Sequence, residues 1–246
     1  MSHPLAGKAA LVTGGSRGIG AAIVRRLAND GAAVAFTYAA AADKAQALVK
    51  EVEAAGGRAI AIKADSAEPE AVRQAVSQTV EELGGLDILV NNAGILTLGV
   101  IDDYALADFD RMVAVNVRAV FVAVQAAIPH LREGGRIIST GSVNADRAGF
   151  PGAAVYSMTK AALAGLTRGL ARDLAPRGIT VNVIQPGPTA TDINDNDEMR
   201  ARIRPLLAIG RLGEDTEVAS LVAYLARPEA SFVTGSAITI DGGYLA

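Results

Sequence analysis

The sequence predicts one doubly wound α/β domain, a parallel sheet with helices on both faces, from three observations. Short β-branched runs alternate with longer stretches of helical periodicity along the chain. Successive strands are separated by links of crossover length, as parallel pairing requires. A glycine-rich turn, Gly14–Gly20, stands between the first strand and the first helix. At 246 residues, half of them hydrophobic, the chain can fill one large core, and no repeat or low-complexity linker marks a second domain.

The elements follow in order. Ala9–Val12 reads as the first strand, and Ile19, Ile23 and Leu27, each four residues apart, mark the buried face of the helix after it. Asn29, Asp30 and Gly31 end that helix. Val34–Thr37 is a second strand, Lys44–Ala55 a helix with Leu48, Val49 and Val52 on one side, and Ala59–Lys63 a third strand. A helix over Pro69–Leu83 carries proline in its tolerated first turn. Ile88–Val90, a long helix Phe109–Ile128, Arg136–Ser139, a helix Val155–Ala175 and Thr180–Ile184 continue the alternation, and Glu217–Leu225 and Ala237–Ile240 close it. The stretch Pro186–Gly213, rich in Pro, Asp, Asn and Arg, is about 28 residues and too long for an ordinary connection. It follows the sixth strand at the edge where ligands bind in open α/β sheets, so a substrate lid is expected over about residues 188–212, with a short helix near Met199–Leu207.

Composition removes several function classes. The formal charge is 23 − 26 = −3, so nothing electrostatic favours nucleic acid or an anionic membrane as partner. There is no cysteine, which excludes disulfides, thiolate nucleophiles and thiolate-held metals. The two histidines, His3 and His130, fall in an N-terminal tail and after Pro129, where solvent exposure is expected, and no metal site is expected. The N-terminus lacks a signal-peptide pattern and no apolar run approaches ~18 residues, so a cytoplasmic protein without a membrane span is expected.

The candidate chemistry lies at the carboxyl ends of the strands. A phosphate pair needs close backbone approach and amide donors at a helix N-terminus, and Gly14, Gly18 and Gly20 clear the side chains that would obstruct it. The spacing is Gly-x-x-x-Gly-x-Gly rather than the commoner dinucleotide fingerprint. Asn91-Asn92-Ala93-Gly94 ends the fourth strand, where amides can brace the first turn, and Asp65 ends the third, either as an adenine contact or as an exposed helix-start acid. Tyr156 and Lys160, one helical turn apart, project from one face. A phenol of pKa about 10 is a poor proton carrier near neutrality unless shifted, and a nearby ammonium lowers it. Ser142, after the fifth strand, can hydrogen-bond a substrate oxygen beside the tyrosine, and Asn116, amid valines, needs a partner if buried. The second strand ends Phe36-Thr37-Tyr38-Ala39-Ala40 without the acid that accepts from a free ribose 2′-hydroxyl. NADP(H) is therefore expected over NAD(H), with Arg17 and Tyr38 near the 2′-phosphate.

Taken together, Thr13–Gly20, Asn91–Gly94, Asn116, Ser142, Tyr156-x-x-x-Lys160 and Pro186-Gly187 resemble the ordered motifs of the short-chain dehydrogenases/reductases. The likeness runs from about Gly7 to Asp241-Gly242-Gly243. It implies a Rossmann-like domain that reduces a ketone or 3-oxo substrate to the alcohol, reversibly, by hydride transfer. Tyr156 would be general acid/base, Ser142 would orient the substrate oxygen, and Asn116 would hold a water in a proton relay. Lys160 would lower the tyrosine pKa and bind the nicotinamide ribose. The resemblance also implies that Gly14, Ser16, Arg17, Gly18, Ile19, Gly20, Tyr38, Ala93 and Gly94 border the cofactor. Asp65 and Ser66 would meet adenine, Asn92 the adenosine ribose, and Pro186, Gly187, Thr189 and Thr191 the nicotinamide carboxamide. Asn144 and Arg147 are candidate substrate contacts by the same analogy. Family likeness further implies a homotetramer paired through Phe109–Ile128 and Val155–Ala175. The general frame is similar to 3-oxoacyl-acyl-carrier-protein reductases, while Gly15–Arg26, Gly141–Arg147 and Gln185–Asp192 look more like cyclic-di-GMP-binding biofilm-dispersal oxidoreductases. The alternative function is therefore second-messenger binding, with Arg200, Arg202, Arg204 and Arg211 either serving a bis-phosphate ligand or coating a solvated helix.

Overall fold

The computed structural model describes residues 3–191 and 197–246. Its sheet strands are β1 (Ala9–Val12), β2 (Ala33–Tyr38), β3 (Arg58–Lys63), β4 (Leu86–Asn91), β5 (Leu131–Thr140), β6 (Thr180–Pro186) and β9 (Ala237–Ile240). They pair in parallel in the order β3-β2-β1-β4-β5-β6-β9. The connecting helices are α1 (Gly18–Asn29), α2 (Ala42–Ala54), α3 (Pro69–Leu83), α4 (Leu106–Val113), α5 (Ala119–Ala127), α6 (Ala154–Leu174) and α8 (Asp215–Ala226).

Central strands buried on both faces read as unbroken apolar runs, and β1 and β4 are buried throughout. Alternate residues feed two cores. Ala10, Val12, Val34, Phe36 and Ile138 pack with Ile23 and Leu27 of α1 and Val222 of α8. On the opposite face Leu11, Ala35, Leu89 and Ile137 pack with α3, α5 and α6. The chain leaves β1 for β2 on one side, and β4 lies on the other. This order reversal opens a crevice beyond their carboxyl ends.

Three departures from the sequence expectation have local causes. The helix expected over Phe109–Ile128 starts at Leu106 and is interrupted by a π-helical segment, Ala114–Arg118, centred on Asn116. There the Asn116 side chain binds the backbone of Ile95. β5 begins earlier than expected, at Leu131. Its register against β4 slips between Leu86 and Ile88 around Gly134 and Gly135, and Arg132 donates to the buried Asp87 carboxylate at 2.9 Å. The segment after β6 is not wholly irregular. Its ends are tied by a short parallel pair, β7 (Thr189–Ala190) with β8 (Gly213–Glu214), and it contains α7 (Asp197–Ile203) followed by a 3-10 turn, Arg204–Leu206. Residues 192–196 of the expected lid lie outside the described residues.

Candidate active site

A cavity of about 720 Å³ runs along the carboxyl edge of the sheet, from the glycine turn to the start of α6. Its first wall is the turn after β1. Gly14 and Gly18 take φ of +66° and +50°, the left-handed region that favours glycine. A Cβ on Gly20 would stand 2.2 Å from the Gly14 carbonyl oxygen, and one on Gly14 2.9 Å from Ala93 Cα. The turn is braced from neighbouring strands. Thr37 Oγ1 accepts from Gly14 N at 2.9 Å, Thr13 Oγ1 accepts from Asn92 N at 3.0 Å, and Asn92 Nδ2 donates to the carbonyls of Thr13 and Gly14, each at 3.0 Å. The amide protons of Asn92 therefore hold the loop.

Arg17 precedes α1 in extended conformation, no side chain caps that helix, and its first turn carries no acid. The first turn of α1 thus presents amides and the positive end of its dipole to the cavity, a setting that suits a diphosphate. Ser16, Ile19, Tyr38, Ser66, Ala93 and Gly94 also line this cavity. Lys44 and Arg111 line it too, and neither was singled out from sequence. Arg111 donates to both Asp65 oxygens at 3.2 and 3.0 Å, and Ala67 N donates to one of them at 2.9 Å. These bonds, the backbone one foremost, hold the Asp65 carboxyl below its ordinary range against the opposing effect of burial. Asp65 is thus an ionised, engaged helix-start acid that still borders the cavity.

At the far end Tyr156, Ser142 and Lys160 share the cavity wall with Thr140, Asn144, Pro186, Gly187, Thr189 and Thr191. Lys160 is almost wholly buried. Its Nζ donates to the Thr140 carbonyl at 2.8 Å and lies 5.7 Å from the Tyr156 ring centroid. Burial pushes the Lys160 pKa down to about 8. Tyr156 keeps some surface open to the cavity, but burial around its hydroxyl raises the phenol, with the Ser142 hydroxyl pulling it partway back. Desolvation is the largest influence on the phenol, and the ammonium beside it is directed at a backbone carbonyl. Ser142 Oγ accepts from Asn144 N at 3.1 Å, which turns the hydroxyl while leaving its proton available. Thr140 Oγ1, in the same wall, is buried without a protein partner among the described residues.

Asn116 is fully buried and does not line the cavity. Its Oδ1 accepts from Ile95 N at 2.9 Å, and its Nδ2 donates to Ile95 O at 2.9 Å and to Thr159 Oγ1 at 3.1 Å. Thr159 in turn donates to the Tyr156 carbonyl at 2.8 Å. Sequence reasoning missed Thr159, since a threonine inside a helix gives no signal until its partners are known. Arg147 also lies outside the cavity wall, its guanidinium 5.8 Å from the centroid of the Tyr244 ring. Both histidines are exposed, and no cluster of His, Asp or Glu among the described residues is arranged for a metal. No helix among them is long and apolar enough to cross a membrane.

Known proteins resemble the chain along nearly its whole length. A family profile described as enoyl-(acyl carrier protein) reductase matches residues 14–245. A short chain dehydrogenase from Burkholderia cenocepacia J2315, solved in complex with NADP, superposes with a TM-score of 0.96 at 57% identity, covering 99% of this chain and 100% of that one. The cyclic-di-GMP-binding biofilm dispersal mediator protein of Escherichia coli K12 is 50% identical, covering 97% of each chain. A 3-oxoacyl-[acyl-carrier-protein] reductase of Staphylococcus aureus Mu50 is 40% identical, covering 96% of this chain and 97% of the relative. With this similarity, the seven-stranded parallel sheet and the motif residues gathered at its carboxyl edge, the chain belongs to the short-chain dehydrogenase/reductase family of oxidoreductases.

Proposed function

We propose that the protein is an NADP(H)-dependent reductase of a ketone or 3-oxo compound, reversible toward alcohol oxidation, with Tyr156 as general acid/base. The observation that carries this reading is the meeting of Tyr156, Ser142 and Lys160 in the wall of the cavity that the glycine turn opens. A nicotinamide bound in this cavity would supply the hydride and, in the reverse direction, accept it. The chain's own groups handle the proton and the position of the oxygen. Burial keeps the Tyr156 phenol protonated, the form that must donate to the oxygen as reduction proceeds. Ser142, turned by the Asn144 amide, offers its hydroxyl proton to the same oxygen. Lys160 remains largely cationic at pH 7 with its pKa near 8, and its charge favours the phenolate left after proton transfer. Asn116 shapes the relay from behind, and a relay water would use the oxygen lone pair its three bonds leave open. The glycine turn and α1 would hold the diphosphate, and Arg17 and Tyr38 the 2′-phosphate, with no acid at the end of β2 to oppose it. The segment 188–212 serves as the substrate lid, and the protein works in the cytoplasm as a homotetramer.

Tyr156→Phe tests the reading. Turnover falls by at least ~10²–10⁴ while cofactor affinity is kept. Near-normal kcat in the variant rejects Tyr156 as the acid.

A second reading, binding of cyclic di-GMP, rests on the name of the E. coli relative at 50% identity. The lid arginines lend it little. Arg202 pairs with Glu198 at 2.6 Å, Arg204 donates to the Gly210 carbonyl at 2.7 Å, and Arg211 makes a two-pronged pair with Glu217 at 2.8 and 2.7 Å. Equilibrium titration with cyclic di-GMP beside a ketone-reduction assay separates the two.

A further inference from the structure

Beyond the reacting groups, the C-terminal segment also contributes to the cavity wall. Tyr244 and Phe150 line the cavity, as do Leu96, Val143 and Ile203. Tyr244 is fixed from several directions. Asp241 caps the terminal turn, its two oxygens accepting from Gly243 N and Leu245 N, each at 2.9 Å. The Gly242 carbonyl accepts from Ile209 N at 3.1 Å, which ties the tail to the lid. The tyrosine hydroxyl reaches Gly149 so closely that a Cβ there would stand 2.4 Å from it. The Arg147 guanidinium lies over the ring and outside the cavity wall. Among the described lining residues, Arg17, Lys44, Asp65 and Arg111 are charged but stand on the glycine-turn side, and Lys160 is directed at the Thr140 carbonyl. Among the described residues, the wall around Tyr244 therefore presents ring and aliphatic surface, with no cation facing inward to meet an anionic substituent.

We infer that Tyr244 and Phe150 form an aromatic slot that selects carbonyl compounds bearing a flat, uncharged aryl substituent, with Arg147 as a positioning residue that holds the Tyr244 ring. The inference deepens the reductase reading and rests on it for the carbonyl. Stacking of one flat ring on another favours an aryl group over a saturated ring of equal size by about three- to tenfold. The test is equilibrium binding to the NADP⁺-saturated full chain of acetophenone, cyclohexyl methyl ketone and 4-oxopentanoate, alongside kcat/KM for the same three with NADPH. Acetophenone should bind at least about threefold more tightly than the other two. Tyr244→Leu, which keeps apolar bulk without the ring, should erase that margin while leaving the Kd for NADP⁺ unchanged. Tyr244→Phe should keep it, and Arg147→Met should narrow it. Tightest binding of 4-oxopentanoate, lost in Arg147→Met, would overturn the inference and make Arg147 a substrate contact. An intact margin in Tyr244→Leu would overturn it equally. Aryl-selective binding with no turnover of any ketone would instead reject the reductase reading and leave the slot standing.

Discussion

At Lys160 a cation is buried almost completely, and the fold bears a cost that depends on pH. Below about pH 8 both folded and unfolded chains hold the proton, so the full cost of the buried charge is present. Between there and the ordinary value of 10.5 the folded chain has released its proton while the unfolded chain retains it, so stability rises with pH. Lys160→Met lacks this dependence. Relative to that variant, wild type should gain stability from pH 8 to 10 by an amount on the order of 1–3 kcal/mol, measured by denaturant melts. A difference flat across that range contradicts the buried cation. Arg17 shows the opposite economy, an exposed side chain beside the glycine turn. Wild type should show higher kcat/KM with NADPH than with NADH, and Arg17→Ala should raise the NADPH KM about tenfold while leaving NADH use nearly unchanged. Equal use of both cofactors by wild type sinks the expectation, and an unchanged NADPH KM in the variant clears Arg17 of the role.

Among the elements, the π-helical turn at Asn116 and the first turns of α6 are joined by one chain of hydrogen bonds, from Ile95 through Asn116 and Thr159 to the Tyr156 carbonyl. Sites where a helix widens by one residue often carry function, and here the widening lies behind the tyrosine. Thr159→Val keeps the shape but strands one Asn116 amide proton where exposure is zero. The loss should be about 1–3 kcal/mol, with kcat falling because Tyr156 is no longer held. Thr159→Ser, which keeps the hydroxyl, should restore most of kcat. If valine and serine variants behave alike, the hydroxyl has no positioning role.

For the whole molecule, α5 and α6 carry exposed large apolar side chains. Phe121 and Met158 are about half exposed, and Gly165 and Gly169 of α6 would leave added side chains in open space. Large side chains beside small ones suit close helix pairing between copies of the chain. Light scattering at micromolar concentration should give a tetramer, and Phe121→Glu should shift it to smaller species. A wild-type monomer rejects the assembly.

The order of strands and helices, the glycine turn and the Tyr156, Lys160 and Ser142 constellation were legible in the sequence, because periodicity and short spacings survive any detail of packing. Central β1 and β4 announced themselves as continuous apolar runs because both of their faces are covered. What the tertiary structure alone decided concerns partners distant along the chain. Asp65 meets Arg111 from α4, Asn116 spends its amide on Ile95 and Thr159, and Tyr244 reaches the cavity from the end of the chain. The tyrosine's pKa belongs to the same class. Spacing put an ammonium near the phenol, but only the packed structure showed that burial raises the phenol and that Lys160 donates to the Thr140 carbonyl. Periodicity is a local property written in neighbouring residues, whereas desolvation and long-range hydrogen bonds depend on which surfaces the fold brings together.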